Sequence, residues 1–593
     1  MADREPVEWI EIDYDFCDLT FGVAPCTAVL GLGPTDARQK CFNTTETCAA
    51  RGALDLGVLT LRFITPRSNL PKGTTWFPCL DSVSGSSSTV NIAGADDDLA
   101  PLGKRAEITA KMRDFTYHDR LTDKYARERV TGVAQADGIG YRPEDHGTFF
   151  GKLRARWPFY AGRPLRHCLG YLDGGGPLVA EVTRHFIITN MTVDIGGGVT
   201  FQGKDILDLA DDKRVQAPKA SNARLSAAMT IGLDPVTLAP PGIGDAELPV
   251  AGFASIGSEI IAYTRSGDVL TVTQRGVSRT TIATHSLDDT VQPTFSLRLV
   301  RIDEAIRTLL VDYAGINPAF IPFSTWQVEV TRWAPTLRLT VDITKPEGVA
   351  KLIGELAILG VSIWWDERAQ LIGLRMNRPV DIRTEVVKRL SDRDNLISLD
   401  IDDRDDERLT TIQFFTVMRD PTMSPTDGNS YLRQRYVADA GAVLPEEFGD
   451  SRVKKIYCRW LNHGDDAAVA VLGRRFLQGF TRAPRRYTMQ VDARDDMSLV
   501  AVGQVETRDN SDATGRMALQ TVQIIGRSDK VTGHRVELIA RAFAFGSKRY
   551  GYFTPNDWPD YAAATETQRE RGAFFCDDTT KRMSDGTEPY RFI

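Results

Sequence analysis

The stretch AEITAKM (residues 106–112) decides the fold class. Ala106, Ile108, Ala110 and Met112 alternate with Glu107, Thr109 and Lys111. A period of two is what a strand needs when one face enters a core and the other meets solvent. Working outward, strand-like runs recur at 58–63, 149–157, 165–172, 185–193 and 199–201, broken by Gly-rich turns such as Gly174-Gly175-Gly176. Short strands spaced this way predict a barrel or a sandwich. Farther on, a hairpin is expected from 259–264 and 269–274, turning at Arg265-Ser266-Gly267-Asp268. The period changes at 301–314, where Ile302, Ile306, Leu309, Leu310 and Tyr313 share one helical face and Gly315 is placed to stop it. A second helix is expected to begin near Pro346, with Thr344 and Glu347 spaced as a capping box and Gly360 at its end. Its stripe is Val349, Leu352, Ile353, Leu356 and Leu359, and a hairpin of 361–365 and 371–376 follows. Strands return from 386, with one helix at about 465–478.

A chain of 593 residues exceeds one hydrophobic core, so several domains are required. The patterns divide it into a cysteine-rich module (1–95), a β domain (96–215), a small inserted β module with a Pro-rich linker (216–298), an α+β domain (299–390), a second β domain (391–550) and a C-terminal arm (551–593). The fold class is mainly β and multidomain. A net charge of −7 gives no global reason to bind nucleic acid or an anionic membrane. The acidic start MADREPVEWIEID has no apolar run, so no signal peptide is expected, and the longest near-apolar run, 356–365, is about half a membrane span. No stable membrane insertion is expected, and synthesis in the cytoplasm keeps thiols reduced.

Four of the eight cysteines fall within 32 residues, in FCDLTFGVAPCTAVLGLGPTDARQKCFNTTETC (16–48). Cys17, Cys26, Cys41 and Cys48 form C-x8-C-x14-C-x6-C. Four thiolates on short loops are what a tetrahedral metal site or an iron–sulfur cluster requires. The gaps exceed those of zinc ribbons and ferredoxins. The residues themselves leave an iron–sulfur cluster, structural zinc and an unmetallated thiol cluster open. Gly-, Pro- and Thr-rich loops bury little, so ligand bonds would act as a staple. Cys79, Cys168, Cys458 and Cys576 are read as ordinary small residues, although Cys79 is close enough in sequence to pack beside the cluster.

The catalytic reading is weaker. No G-x-S-x-G, H-E-x-x-H or Walker loop is present. His167 and Cys168 are adjacent on an expected strand and point to opposite faces. Cys458 with His463 or His534 is the least unsuitable peptidase pair. The chain is therefore read as a non-enzyme, with a cell-wall hydrolase or an iron–sulfur redox protein as the competing class. The run DIDDRDDE (400–407) is expected to be a solvated loop, and Trp364-Trp365 to pack in a core and an interface rather than on a sugar. The arm's aromatics, Tyr552, Phe553, Trp558, Tyr561, Phe574, Phe575, Tyr590 and Phe592, call for burial against something.

The cysteine segment, with Gly22-Val23-Ala24-Pro25-Cys26 and Lys40-Cys41-Phe42-Asn43-Thr44, resembles that of siphophage tail-tip proteins, in which four cysteines hold a [4Fe–4S] cluster. The first and last gaps match that pattern, and the middle gap is shorter here. DFTYHDRLTDKYARERVTG (114–132), IGSEIIAYTRSGDVLTVTQRG (256–276) and ITKPEGVAKLIGELAILGVSIWWDERAQLIGLRMNRP (343–379) extend the resemblance to tail-tip hub proteins of siphophages and gene transfer agents. It implies that the two β domains are barrels flanking the α+β domain. It also implies a homotrimeric, pseudo-sixfold hub in the virion tail, assembled in the host cytoplasm. The implied partners are the distal tail protein ring and tail tube, the tape-measure protein, tail fibres or receptor-binding proteins, and DNA in transit.

Overall fold

The computed structural model describes residues 5–29, 40–67, 70–71, 73–92, 100, 102–130, 143–172, 178, 180–380, 385, 387–439, 450–480, 484–511, 514–531, 533–543 and a few positions beyond 548. The aromatics named for the C-terminal arm lie outside them. The chain divides into two compact units.

Unit 1 comprises Met1–Ser88, Arg105–Asp208 and Trp365–Leu371. Its strands are β1 (Glu5–Cys17), β2 (Leu56–Ile64), β3 (Phe77–Pro78), β4 (Leu80–Gly85), β5 (Glu107–Arg113), β6 (Pro164–Leu172), β7 (Ala180–Val193) and β8 (Gly198–Lys204). They form one sheet in the order β3-β2-β1-β6-β7-β8-β5-β4. The two edge strands are consecutive in the chain, with only Cys79 between them. One residue spans about 3.5 Å, so the sheet must curl until its edges nearly meet. The Cys79 carbonyl accepts from the Arg113 N–H (2.8 Å), tying the seam to β5.

The alternating residues of β5 fill the inside of this barrel: Ile108, Ala110 and Met112 are buried with Ile10, Ile12, Tyr14, Phe63, Leu165 and Phe201. Residues 149–157, expected as a strand, form the helix Phe149–Arg156 instead. Two adjacent phenylalanines, both buried, cannot occupy one face of a strand, whereas Phe149, Phe150 and Leu153 share a helical face. Thr148 caps this helix by accepting from the Gly151 N–H (3.2 Å). The cysteine-rich stretch supplies β1 to β4 of this same sheet, and residues 18–55 are an excursion between β1 and β2. Trp365 is buried in this unit, donating to the His185 carbonyl (2.9 Å), which leaves no exposed sugar platform there.

In unit 2, residues 216–250 are more than a linker. Arg224–Leu225 and Val236–Ala239 begin a six-stranded sheet that continues through Val269–Gln274, Glu259–Ser266 and Ala251–Ile256 to Val291–Pro293. Its edges also meet: Leu225 N–H donates to the Asp289 carbonyl (3.0 Å) and Val291 N–H to that of Ala223 (2.8 Å). The expected hairpin lies inside this small barrel and turns at Gly267-Asp268.

The α+β part follows its periodicity. Ile302–Thr308 continues as a π turn over Leu309–Tyr313, and Gly315 ends it at φ +68°. The second helix is Val349–Ala357, but its N-cap is Gly348 without a side-chain bond. Glu347 is drawn instead to Arg459, at 2.6 and 2.9 Å, and to Lys351, at 2.5 Å, so a distant ion pair displaces the capping box. In the following hairpin, Val361–Asp366 with Leu371–Met376, Trp364 lies flat over Gly373. A Cβ on Gly373 would sit 2.3 Å from the Trp364 ring. Gly373→Ala is expected to cost about 1–3 kcal/mol, read as a lower urea midpoint at unchanged slope.

The last part holds a third curled sheet: β9 (Lys388–Ser391), β10 (Leu396–Asp403), β11 (Arg485–Asp492), β12 (Val502–Glu506), β13 (Gln520–Val531) and β14 (Arg535–Ala542). The order β9-β12-β13-β14-β11-β10 again puts consecutive strands at opposite edges, with only 392–395 between them. Leu390, Tyr487, Met489, Val505, Ile524 and Leu538 are among its core. The acidic run is the end of β10 and a short turn. Three of its carboxylates are in close ion pairs with arginines from other segments: Asp403 with Arg485 (2.7 Å), Asp405 with Arg452 (2.8 Å) and Glu407 with Arg486 (3.0 Å). No described helix is long and apolar enough to cross a membrane.

Candidate thiolate site

Cys17 is the last residue of β1 and pairs with Leu56 at the start of β2, so residues 18–55 leave and re-enter the barrel at one point. All four clustered cysteines are free thiols. Cys17 is buried, and Cys26, Cys41 and Cys48 are half-buried. Asn43 closes the excursion onto β1. Its carbonyl accepts from the Cys17 N–H (2.7 Å), and its amide donates to the Cys17 (2.8 Å) and Leu19 (3.0 Å) carbonyls. Asn43 takes φ +58°, a conformation that asparagine tolerates better than most residues.

Cys41 lies within electrostatic reach of the other three thiols. Burial pushes its thiol up, the Asn43 backbone N–H opposes this, and Cys48, Cys26 and Cys17 each push it further up. Cys48 Sγ likewise accepts a backbone N–H two residues on, from Ala50 (3.4 Å). The sulfurs are nevertheless not in ligand contact: among the described residues, no group of three or more His, Cys, Asp or Glu stands in metal-holding geometry. The donor chemistry fits a thiolate-bound metal or cluster, and residues 30–39, between Cys26 and Cys41, lie outside the described set.

A segment that motif reading does not identify as part of the site grips these loops. Lys124 Nζ donates to the Cys17 carbonyl (2.9 Å). The Tyr125 hydroxyl accepts from Phe21 N–H (2.6 Å), and Cys41, Lys40 and Cys26 are all close enough to act on that hydroxyl. Arg129 Nη2 donates to the Lys40 (3.0 Å) and Cys41 (2.8 Å) carbonyls, while its Nε is held by Asp123 (2.7 Å). The guanidiniums of Arg129 and Arg156 lie 4.0 and 4.2 Å from the Phe42 ring centroid. A neighbouring cleft of about 430 Å³ includes Asp119 and Asp123. Asp119 is bonded to Lys152 and Arg156, and Asp123 to Arg129, so these two carboxylates are already engaged.

The remaining described cysteines are buried. Burial pushes the Cys79, Cys168 and Cys458 thiols up to about 12. The charged neighbours of Cys79 are Asp114 and Asp81 rather than the clustered thiols. Cys168 packs with Val7, Trp9, Ile64 and Leu172, while His167 turns toward Glu8 (3.3 Å). The side chain of Cys576 lies outside the described residues. Iodoacetamide applied to the native protein at pH 8 is expected to leave Cys79, Cys168 and Cys458 unmodified by peptide mass mapping. Rapid labelling of Cys458 would reopen the peptidase reading.

No family model matches the chain, and no curated protein matches it. Among solved structures it is similar to the tail protein of Neisseria meningitidis MC58, at 11% identity over 78% of this chain and 93% of that one, with a TM-score of 0.37. It is also similar to the 43 kDa tail protein of prophage MuSo2 from Shewanella oneidensis, at 10% identity over 79% of this chain and 97% of that one (TM-score 0.33). A prophage tail protein of Listeria monocytogenes EGD-e shares 11% identity over 64% of this chain and 86% of that one (TM-score 0.29). At these identities and scores the likeness alone settles neither fold nor function.

Proposed function

We propose that the chain is a structural virion protein, the trimeric hub of a phage-type tail tip or baseplate. The observation that carries this reading is the order along the chain: one large curled β sheet precedes the α+β part and another follows it. Setting the small barrels aside, three copies supply six such large sheets, the number a threefold cap needs to meet a sixfold tube. In this role it closes the tube, sits under the distal tail ring, meets the end of the tape-measure protein and carries fibres or receptor-binding proteins. Opening for DNA is a rearrangement between domains. Cys17, Cys26, Cys41 and Cys48 would hold a [4Fe–4S] cluster, with zinc as the alternative. The bound group supplies cross-linking to an excursion with little apolar core of its own. Light scattering on the purified chain tests the assembly. A mass three times 65.7 kDa is expected, and a monomer at micromolar concentration contradicts the trimer.

A further inference from the structure

We infer that Lys124, Tyr125 and Arg129 are positioning residues for the four-thiol site. They fix its loops from one turn of chain and supply the positive charge that a metallated site needs. This rests on the thiolate reading above. The contacts reach three ligand-bearing loops at once: Lys124 holds the carbonyl of Cys17, Tyr125 the N–H of Phe21 on the way to Cys26, and Arg129 the carbonyls of Lys40 and Cys41. Each bond goes to backbone, so the residues orient the loops without competing for the sulfurs. Lys40 completes the arrangement, 4.6 Å from the Tyr125 ring centroid and paired with Glu128 (2.7 Å).

Charge gives the second half of the argument. Four thiolates around zinc or a [4Fe–4S] core leave a net negative site. Arg129 and Lys40 are offset by Asp123 and Glu128, and Lys124 adds a positive charge at the Cys17 carbonyl, beside the first thiol. Outer residues of this kind tune both metal retention and reduction potential.

The test uses the full chain purified without oxygen, as wild type, Lys124→Met, Arg129→Met, Arg129→Lys and Tyr125→Phe. Metal loss to a chelator is expected to speed up about 10–100-fold in Lys124→Met and Arg129→Met. With iron bound, the potential is expected to fall in both, because removing a cation disfavours the added electron. Arg129→Lys should restore most of the potential but not the retention, since its single ammonium cannot reproduce the fork. It also serves as the second variant should Arg129→Met fail to fold. Wild-type retention and potential in folded Lys124→Met and Arg129→Met would overturn the inference. If the wild type carries no metal, the thiolate reading fails separately. The grip is then judged by alkylation of the metal-free thiols: faster labelling of Cys17 and Cys41 in the variants supports it, and equal rates overturn it.

Discussion

Replacing Cys17, Cys26, Cys41 and Cys48 together by Ser is expected to remove about four irons and four sulfides per chain, and with them the visible absorption of the anaerobically purified protein. The effect should be local in structure. Residues 18–55 hang from a β1–β2 pair that is bonded along its whole length from Trp9–Ile64 to Cys17–Leu56, and β1 is bonded on its other side to β6. The barrel therefore keeps its strands when the staple is lost, whereas the excursion, held otherwise by Asn43 and the 124–129 grip, opens. Limited proteolysis should cut the variant within 18–55 and leave the barrels intact. Zinc in place of iron would keep the staple and remove any redox role. No metal in wild type would leave the cysteine segment a loop closed by hydrogen bonds alone.

An equally large effect is expected at Glu259, in the small barrel of unit 2. This carboxylate is fully buried and receives Arg275 on both oxygens (2.6 and 2.7 Å), His285 (2.9 Å) and the N–H groups of Gly276 and Ala283. Arg275 in turn donates to the carbonyls of Thr230, Gly232 and Ala283, so one ion pair ties three loops. Burial alone would push the Glu259 carboxyl up; Arg275, the Ala283 N–H, His285 and the Gly276 N–H outweigh it and hold it at about 2. Glu259→Gln leaves Arg275 buried without its counter-charge and is expected to cost about 3–5 kcal/mol, seen as fast hydrogen exchange across 251–274. Because the folded value is depressed, the stabilisation is complete above the unfolded value of 4.5 and is lost as pH falls from there toward 2. That loss amounts to about 3 kcal/mol in wild type and should be absent from the variant. Equal exchange in both proteins at pH 7 would show that the triad is dispensable.

What the sequence discloses depends on the range of the interaction. Period-two alternation in β5 and the helical stripe from Ile302 to Tyr313 are local, and both appear where expected. Phe149–Arg156 misleads because an aromatic pair reads as strand until the barrel interior claims both rings. The Thr344–Glu347 capping box fails because Arg459, more than a hundred residues away, takes the glutamate. Residues 216–250 look like a linker because two- and four-residue strands carry almost no period. At the site, the spacing of the cysteines is legible, while the grip by Lys124, Tyr125 and Arg129 crosses separations of about ninety to a hundred residues. Nothing local in 114–132 marks it as a partner of 16–48; only the fold places them together.

The chain is proposed to sit at the tail tip. Gold-labelled antibody against this chain, applied to purified particles from the host that encodes it and viewed by negative-stain electron microscopy, tests that most directly. Label at the distal end of the tail, and nowhere along the tube or on the head, is the predicted result. Particles that carry the chain on the head, or that lack it altogether while remaining complete, would contradict the account.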